Sequence, residues 1–193
     1  MSLWSPSMGW STGVPPQDLG LSASLFSAST RNVAWVQQTI DLSAYATHTI
    51  RLVWKVVNVG GNFANDLQLD TIVFDGTTYN FDTDIEGFSC MDAAASLAYD
   101  GASWVDVAAD NTQGFWCRDQ AGTTSGGTGT LTGQSGAFYI YTEASGPVTG
   151  DVFWLRSPQI VCSASAGNCT FYEGRDVVAG TTIDFYVDVD AQP

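Results

Sequence analysis

Lysine occurs once in this 193-residue chain, at Lys55, histidine once, at His48, and glutamate only at positions 86, 143 and 173. With strong helix formers scarce and Gly, Ser, Thr and aromatic residues abundant, the composition is that of an all-β protein with many turns. Basic residues number six against twenty acidic ones, for a formal charge of −14. No basic stripe is available to displace counterions from phosphates, so nucleic acid and anionic membrane surfaces are excluded as partners. Apolar runs fall well short of the roughly 20 residues that cross a bilayer, so no membrane insertion is expected. The opening MSLWSPSMGW has neither a basic n-region nor an apolar h-region, so no secretory leader is expected in it.

Chemistry-bearing motifs are also scarce. No serine sits in a nucleophile elbow, and the single His48, between a turn and a strand, is read as structural. The three glutamates fall in different predicted elements, and seventeen aspartates guarantee chance carboxylate pairs, so an enzyme is not expected. Cys90, Cys117, Cys162 and Cys169 lack CxxC spacing, which argues against zinc. They form either two disulfides, in any of three connectivities, or small buried hydrophobes if the chain stays in a reducing compartment. A Cys162–Cys169 bridge across its short loop is the easiest of these to build.

What the sequence does hold is short alternating runs. Residues 1–20 have no period, contain three prolines and predict an extended arm, with Trp4 and Trp10 as its anchors on the domain's own flank or on a neighbouring subunit. In residues 21–193, Ile50, Leu52, Trp54 and Val56 alternate with Arg51, Val53, Lys55 and Val57. Ile183, Phe185, Val187 and Val189 likewise alternate with Asp184, Tyr186, Asp188 and Asp190. This is the pattern of antiparallel strands with one face in a core. Turn residues such as Asp75-Gly76 and Ala179-Gly180 separate the runs, which predicts one two-sheet antiparallel sandwich or jelly roll. DAAASLAYDG (92–101) is the one candidate for a short helix, and residues 121–136 read as a long surface loop. Trp54 and Trp154, inside alternating strands, are read as core.

TTSGGTGT (123–130), AFYIYTEASG (137–146), WLRSPQI (154–160) and NCTFYEG (168–174) resemble, in order, the middle of a MAM domain, the adhesion-type jelly roll of meprins, neuropilins and receptor phosphatases. FDTDIEGF (81–88) and the Trp104 segment resemble that domain's start. AWVQQTIDLSAYATHTIRLVWKVV (34–57) and DLQLDTIVFDG (66–76), with a Leu-Ser-x-Tyr turn and an acidic x-Leu-Asp-x-Ile strand, resemble its closing strands. The order is that of a circular permutant: 21–80 matches the closing part and 81–190 the opening and middle parts. The resemblance implies a MAM/lectin-like fold whose halves join within one chain or are exchanged between chains.

Six carboxylates crowd Asp66 to Phe88. Hard cations take six to eight oxygens, so a Ca²⁺ site is one reading and a solvated acidic edge the other. The resemblance implies a structural cation, pointing to Asp70 and Asp82, with Asp84 and Asp100 as weaker additions. Trp104 and Trp116 are candidates for stacking on sugar rings, with Tyr139 and Tyr141 less settled. Two functions are expected. One is a non-enzymatic virion accessory protein, a capsid decoration or cement protein or a tail component at the virion surface. It would contact other particle proteins or itself, as a homo-oligomer such as a trimer. The other is a secreted module that binds glycans or proteins.

Overall fold

A computed structural model describes residues 20–59, 65–93, 99, 103–120, 132–146, 150–177 and 180–190. Trp4, Trp10, Asp100 and most of the candidate helix lie outside the described residues. The strands begin with β1 (Gly20–Leu21), β2 (Phe26–Ala28), β3 (Asn32–Asp41), β4 (Thr49–Val57) and β5 (Asp66–Phe74). They continue with β6 (Thr77–Tyr79), β7 (Ser89–Cys90), β8 (Val105–Asp106), β9 (Trp116–Asp119) and β10 (Tyr139–Thr142). The last are β11 (Val152–Arg156), β12 (Ile160–Val161), β13 (Asn168–Asp176) and β14 (Thr182–Val189). A 3₁₀ turn, Ser43–Tyr45, occupies the Leu-Ser-x-Tyr motif and buries Leu42 and Tyr45.

Two antiparallel sheets pack as a sandwich. One runs β1–β14–β4–β11–β7–β8, with β2 also beside β14 and β12 beside β4. The other runs β3–β13–β5–β10–β9, with β6 beside β5. Strands from either side of the Asp75-Gly76 turn interleave, since β13 lies between β3 and β5 while β4 lies between β14 and β11. The core therefore needs both halves of the chain.

The alternation read in β4 and β14 is realised. Ile50, Leu52, Trp54 and Val56 share the core with Ile183, Phe185, Val187 and Val189, and meet Leu67, Leu69, Ile140 and Phe171 of the other sheet. Trp154 corrects the sequence reading. It pairs with Lys55, one position away from the Leu155–Trp54 pair, and so turns to the sandwich's outer face. There it is buried against Val53, Met91 and Val152, flanked by Tyr99, Trp104 and Tyr186. The outer face of the second sheet carries its own cluster, Cys117, Tyr139 and Tyr141 beside Trp35 and Phe115.

All four cysteines are buried free thiols. Burial pushes Cys90 and Cys162 up to about 11 and Cys117 and Cys169 up to about 12. A thiol reagent is therefore expected to leave the native protein unmodified near pH 8 and to titrate four thiols once the chain is unfolded without reductant. Two or none in denaturant would show that bridges form.

Candidate functional site

The apolar phase of β5 slips along its length. Leu67 and Leu69 face the core, and beyond Thr71 that place is taken by Ile72 and Phe74. The register agrees: Thr170 pairs with Val73 and Tyr172 with Asp70, so β5 has one residue more than β13 over this step. Thr71 is the bulge residue, with φ of 46°. A left-handed conformation at a β-branched residue costs about 1–3 kcal/mol and persists only where neighbours hold it. Asp70 is one such neighbour. Its Oδ1 accepts the Thr71 backbone N–H at 2.6 Å and the Thr71 hydroxyl at 3.3 Å, and that hydroxyl also donates to Gln134 Oε1 at 2.8 Å.

The other oxygen of Asp70 reaches a distant loop. Oδ2 accepts N–H donors from Gln134 at 2.7 Å and Ser135 at 3.2 Å. Asp70 is fully buried, and that burial pushes its carboxyl up to about 6 against the pull of these donors. Asp82 repeats the arrangement three residues further along the loop. Its Oδ1 accepts the N–H of Ala137 at 2.7 Å and of Phe138 at 3.1 Å, and these bonds hold it below the usual carboxylate range. Gly136 lies between the two clamps with φ of 77°, and a Cβ there would stand 1.8 Å from Asp82 Oδ2. Only glycine satisfies both the conformation and the close approach.

Arg118 of β9 closes the site. Its Nε donates to the Phe81 carbonyl at 2.6 Å and its Nη2 to the Asp82 carbonyl at 2.9 Å. The guanidinium also lies 3.5 Å from the centre of the Phe138 ring. This fixes the turn in which Phe81 has φ of 59° and Glu86 has φ of 51°. Asp84 is exposed, and its Oδ1 accepts the Glu86 N–H at 2.7 Å. Glu86 is pushed up by burial, with the charges of Asp84 and Asp82 adding to it.

The structure thus brings Asp70 and Asp82 to the two ends of one segment, Gln134 to Phe138, and leaves Asp84 in solvent. Among the described residues, no three His, Cys, Asp or Glu side chains are grouped to hold a metal ion. Five backbone donors, four of them from this segment and one from Thr71, hold the two carboxylates in place. Trp116 is fully buried in the inter-sheet core, which leaves its ring no face for a sugar. Trp104 is half-buried on the outer face, with the Arg156 guanidinium 4.0 Å from its ring centre and the centre of the Tyr99 ring, packed edge-on, at 5.3 Å. Tyr139 and Tyr141 are buried, and the Tyr141 hydroxyl donates to Asp110 at 2.5 Å. His48 Nδ1 lies 3.0 Å from the Ala46 carbonyl, bonded within its own turn.

Sequence reasoning missed Arg118, Gln134 and Gly136. Their only local signals were an arginine flanked by Cys and Asp, and a glycine in a low-complexity run. Comparison with family models, curated proteins and solved structures yields no match.

Two outcomes are expected. Asp70 is raised on folding, so its contribution is fully present below the unfolded value of 3.8 and is lost as pH rises through about 6. A displacement from 3.8 to about 6 corresponds to roughly 3 kcal/mol. Chemical denaturation across this window should show stability falling with pH in the native chain, and a flatter profile in Asp70→Asn. Glu86 and Glu173, also raised, supply the slope that remains, whereas the lowered Asp41, Asp75 and Asp82 act only below 3.8. Because backbone donors hold both clamps, the melting temperature should be the same in chelator and in excess Ca²⁺. A rise with Ca²⁺ that Asp82→Asn removes would instead assign the clamp carboxylates as ligands.

Proposed function

We propose that the chain is a non-enzymatic structural module, a jelly roll of MAM-like type in permuted order, serving as a bacteriophage virion accessory protein through protein–protein contacts. The observation that carries this reading is the use to which the reactive side chains are put. Asp70 and Asp82 clamp a loop, His48 bonds within its turn, and the thiols are buried and raised in pKa. These groups serve the scaffold, which suits a protein that presents surface rather than one that turns over substrate. Among the described residues no helix is long and apolar enough to cross a membrane. The arm, with Trp4 and Trp10, is the proposed docking device on a capsid or tail.

The second reading is a secreted module that binds glycans or proteins. It draws on the half-buried Trp104, which stands with Tyr99 on an outer face. The two readings separate in a density gradient of a lysate from the producing cells. The chain should sediment with particles and be labelled on their surface by antibody, and deletion of residues 1–19, which leaves β1 intact, should release it without changing its melting temperature. Recovery as free protein that binds a polysaccharide array, with Trp104→Ala abolishing the binding, would replace the particle reading.

A further inference from the structure

β13 carries two opposite charges into the apolar interior. The Glu173 side chain is fully enclosed, and that of Arg175 keeps only 10% of its surface in solvent. From Tyr172 onward the ladder to β5 is regular and sets Glu173 opposite Leu69 and Arg175 opposite Leu67. Residues directly opposite one another in an antiparallel pair share a face, and both leucines belong to the core between the sheets. The ion pair therefore points into the sandwich and not across its outer face.

Taking two charges out of water is unfavourable unless their remaining donors and acceptors are bonded. Part of that bonding is in place, because Glu173 Oε1 accepts from Gln38 Nε2 of β3 at 2.8 Å. The rest is not. Arg175 Nε lies 3.0 Å from Glu173 Oε2, close enough for charge attraction but without the direction of a hydrogen bond. Arg175 Nε and Nη1 and Glu173 Oε2 are all buried, and among the described residues none of the three has a hydrogen-bond partner. Trp54, Trp116 and Trp154 also bury indole N–H groups without acceptors among the described residues, but a neutral donor is a weaker demand than a charged group.

We propose that ordered water is bound inside the sandwich at this pair, one molecule bridging Arg175 Nε to Glu173 Oε2 and a second accepting from Arg175 Nη1. The charges select the ligand. A metal ion is repelled by the guanidinium and an anion by the carboxylate, whereas water accepts from the one and donates to the other. A buried water is held by roughly two to four polar groups, and the bridging position supplies two. The second molecule is needed because the N–H groups of Nε and Nη1 leave the planar guanidinium in different directions. The consequence reaches β3, the end strand of its sheet. With one carboxylate oxygen held by water and the other by Gln38, Glu173 ties β3 to β13 by a side chain as well as by the ladder. This inference is independent of the particle reading, which concerns where the chain resides.

A crystal structure of the full chain at atomic resolution should show a density peak within hydrogen-bond distance of both Arg175 Nε and Glu173 Oε2, and a second peak on Nη1. In solution, the Arg175 Nε–H resonance should show cross-relaxation with water. The double variant Glu173→Leu, Arg175→Met leaves neither charge uncompensated, and both density peaks should be lost from it. Direct hydrogen bonds between the guanidinium and both carboxylate oxygens with no water at either place, an ion where the bridging water is expected, or peaks that persist in the double variant would each overturn the proposal. The measurements on the unmodified chain decide it even if the double variant fails to fold.

Discussion

Trp54 is the contact through which the two sheets become one body. It lies on β4, the strand with β14 and β11 as its neighbours, and its ring meets Phe185 at 5.1 Å within its own sheet. Across the interface it meets Phe171 of β13 edge-on at 5.6 Å, and Phe171 in turn lies 5.6 Å from Phe185. Burying each such ring contributes about 1.5–3 kcal/mol, and each edge-on pair about 0.5–1.5 kcal/mol more. Trp54 belongs to the first third of the chain, whereas Phe171 and Phe185 belong to the last. Neither part has a core until the other arrives, so the strand order imposes one cooperative unit with many long-range contacts.

That dependence sets the task of the loops. Strands adjacent in a sheet but distant in sequence are joined by long connections, whose backbone donors have no ladder to enter. Asp70 and Asp82 take up four such donors in the segment that leads into β10. Arg118, reaching from β9 beneath the same segment, holds the turn that carries Asp82. The bulge at Thr71 belongs to this device, because the extra residue in β5 lets Asp70 face the loop while Ile72 and Phe74 return to the core.

The parts of this fold that alternation specifies were legible. β4 and β14 could be read residue by residue, and so could the Asp75-Gly76 turn, where φ of 48° and 80° joins β5 to β6. The phase slip from Leu67 and Leu69 to Ile72 and Phe74 was also present in the sequence, as a visible mark of a bulge. Two kinds of information were not. Alternation marks two faces without saying that both are covered, so Trp154 read as core although it packs outside the sandwich. Contacts between Asp70 and Gln134, or Asp82 and Ala137, span more than fifty residues, and no local pattern announces them. The carboxylates of the candidate site could be named from sequence, but their partners could not.

Partners of this kind account for much of the acidic composition. Asp41 accepts the Ser43 N–H, Asp75 the Ser163 N–H and hydroxyl, Asp84 the Glu86 N–H and Asp119 the Gln120 N–H. Aspartate suits this role because its short side chain reaches backbone donors a residue or two away, as well as those of a loop packed against it. Being ionised makes each bond roughly twice as strong as a neutral one. Glutamate, longer and with more rotamer freedom to lose, is a poorer cap, in keeping with seventeen aspartates against three glutamates. The six cations are committed to the scaffold as well, as when Arg31 pairs with Asp176 or Lys55 lies over Trp154. A net charge of −14 is then the electrostatic cost of holding long loops with carboxylates, and salt at ordinary ionic strength screens much of it. The acidity follows from the loops before it says anything about a partner.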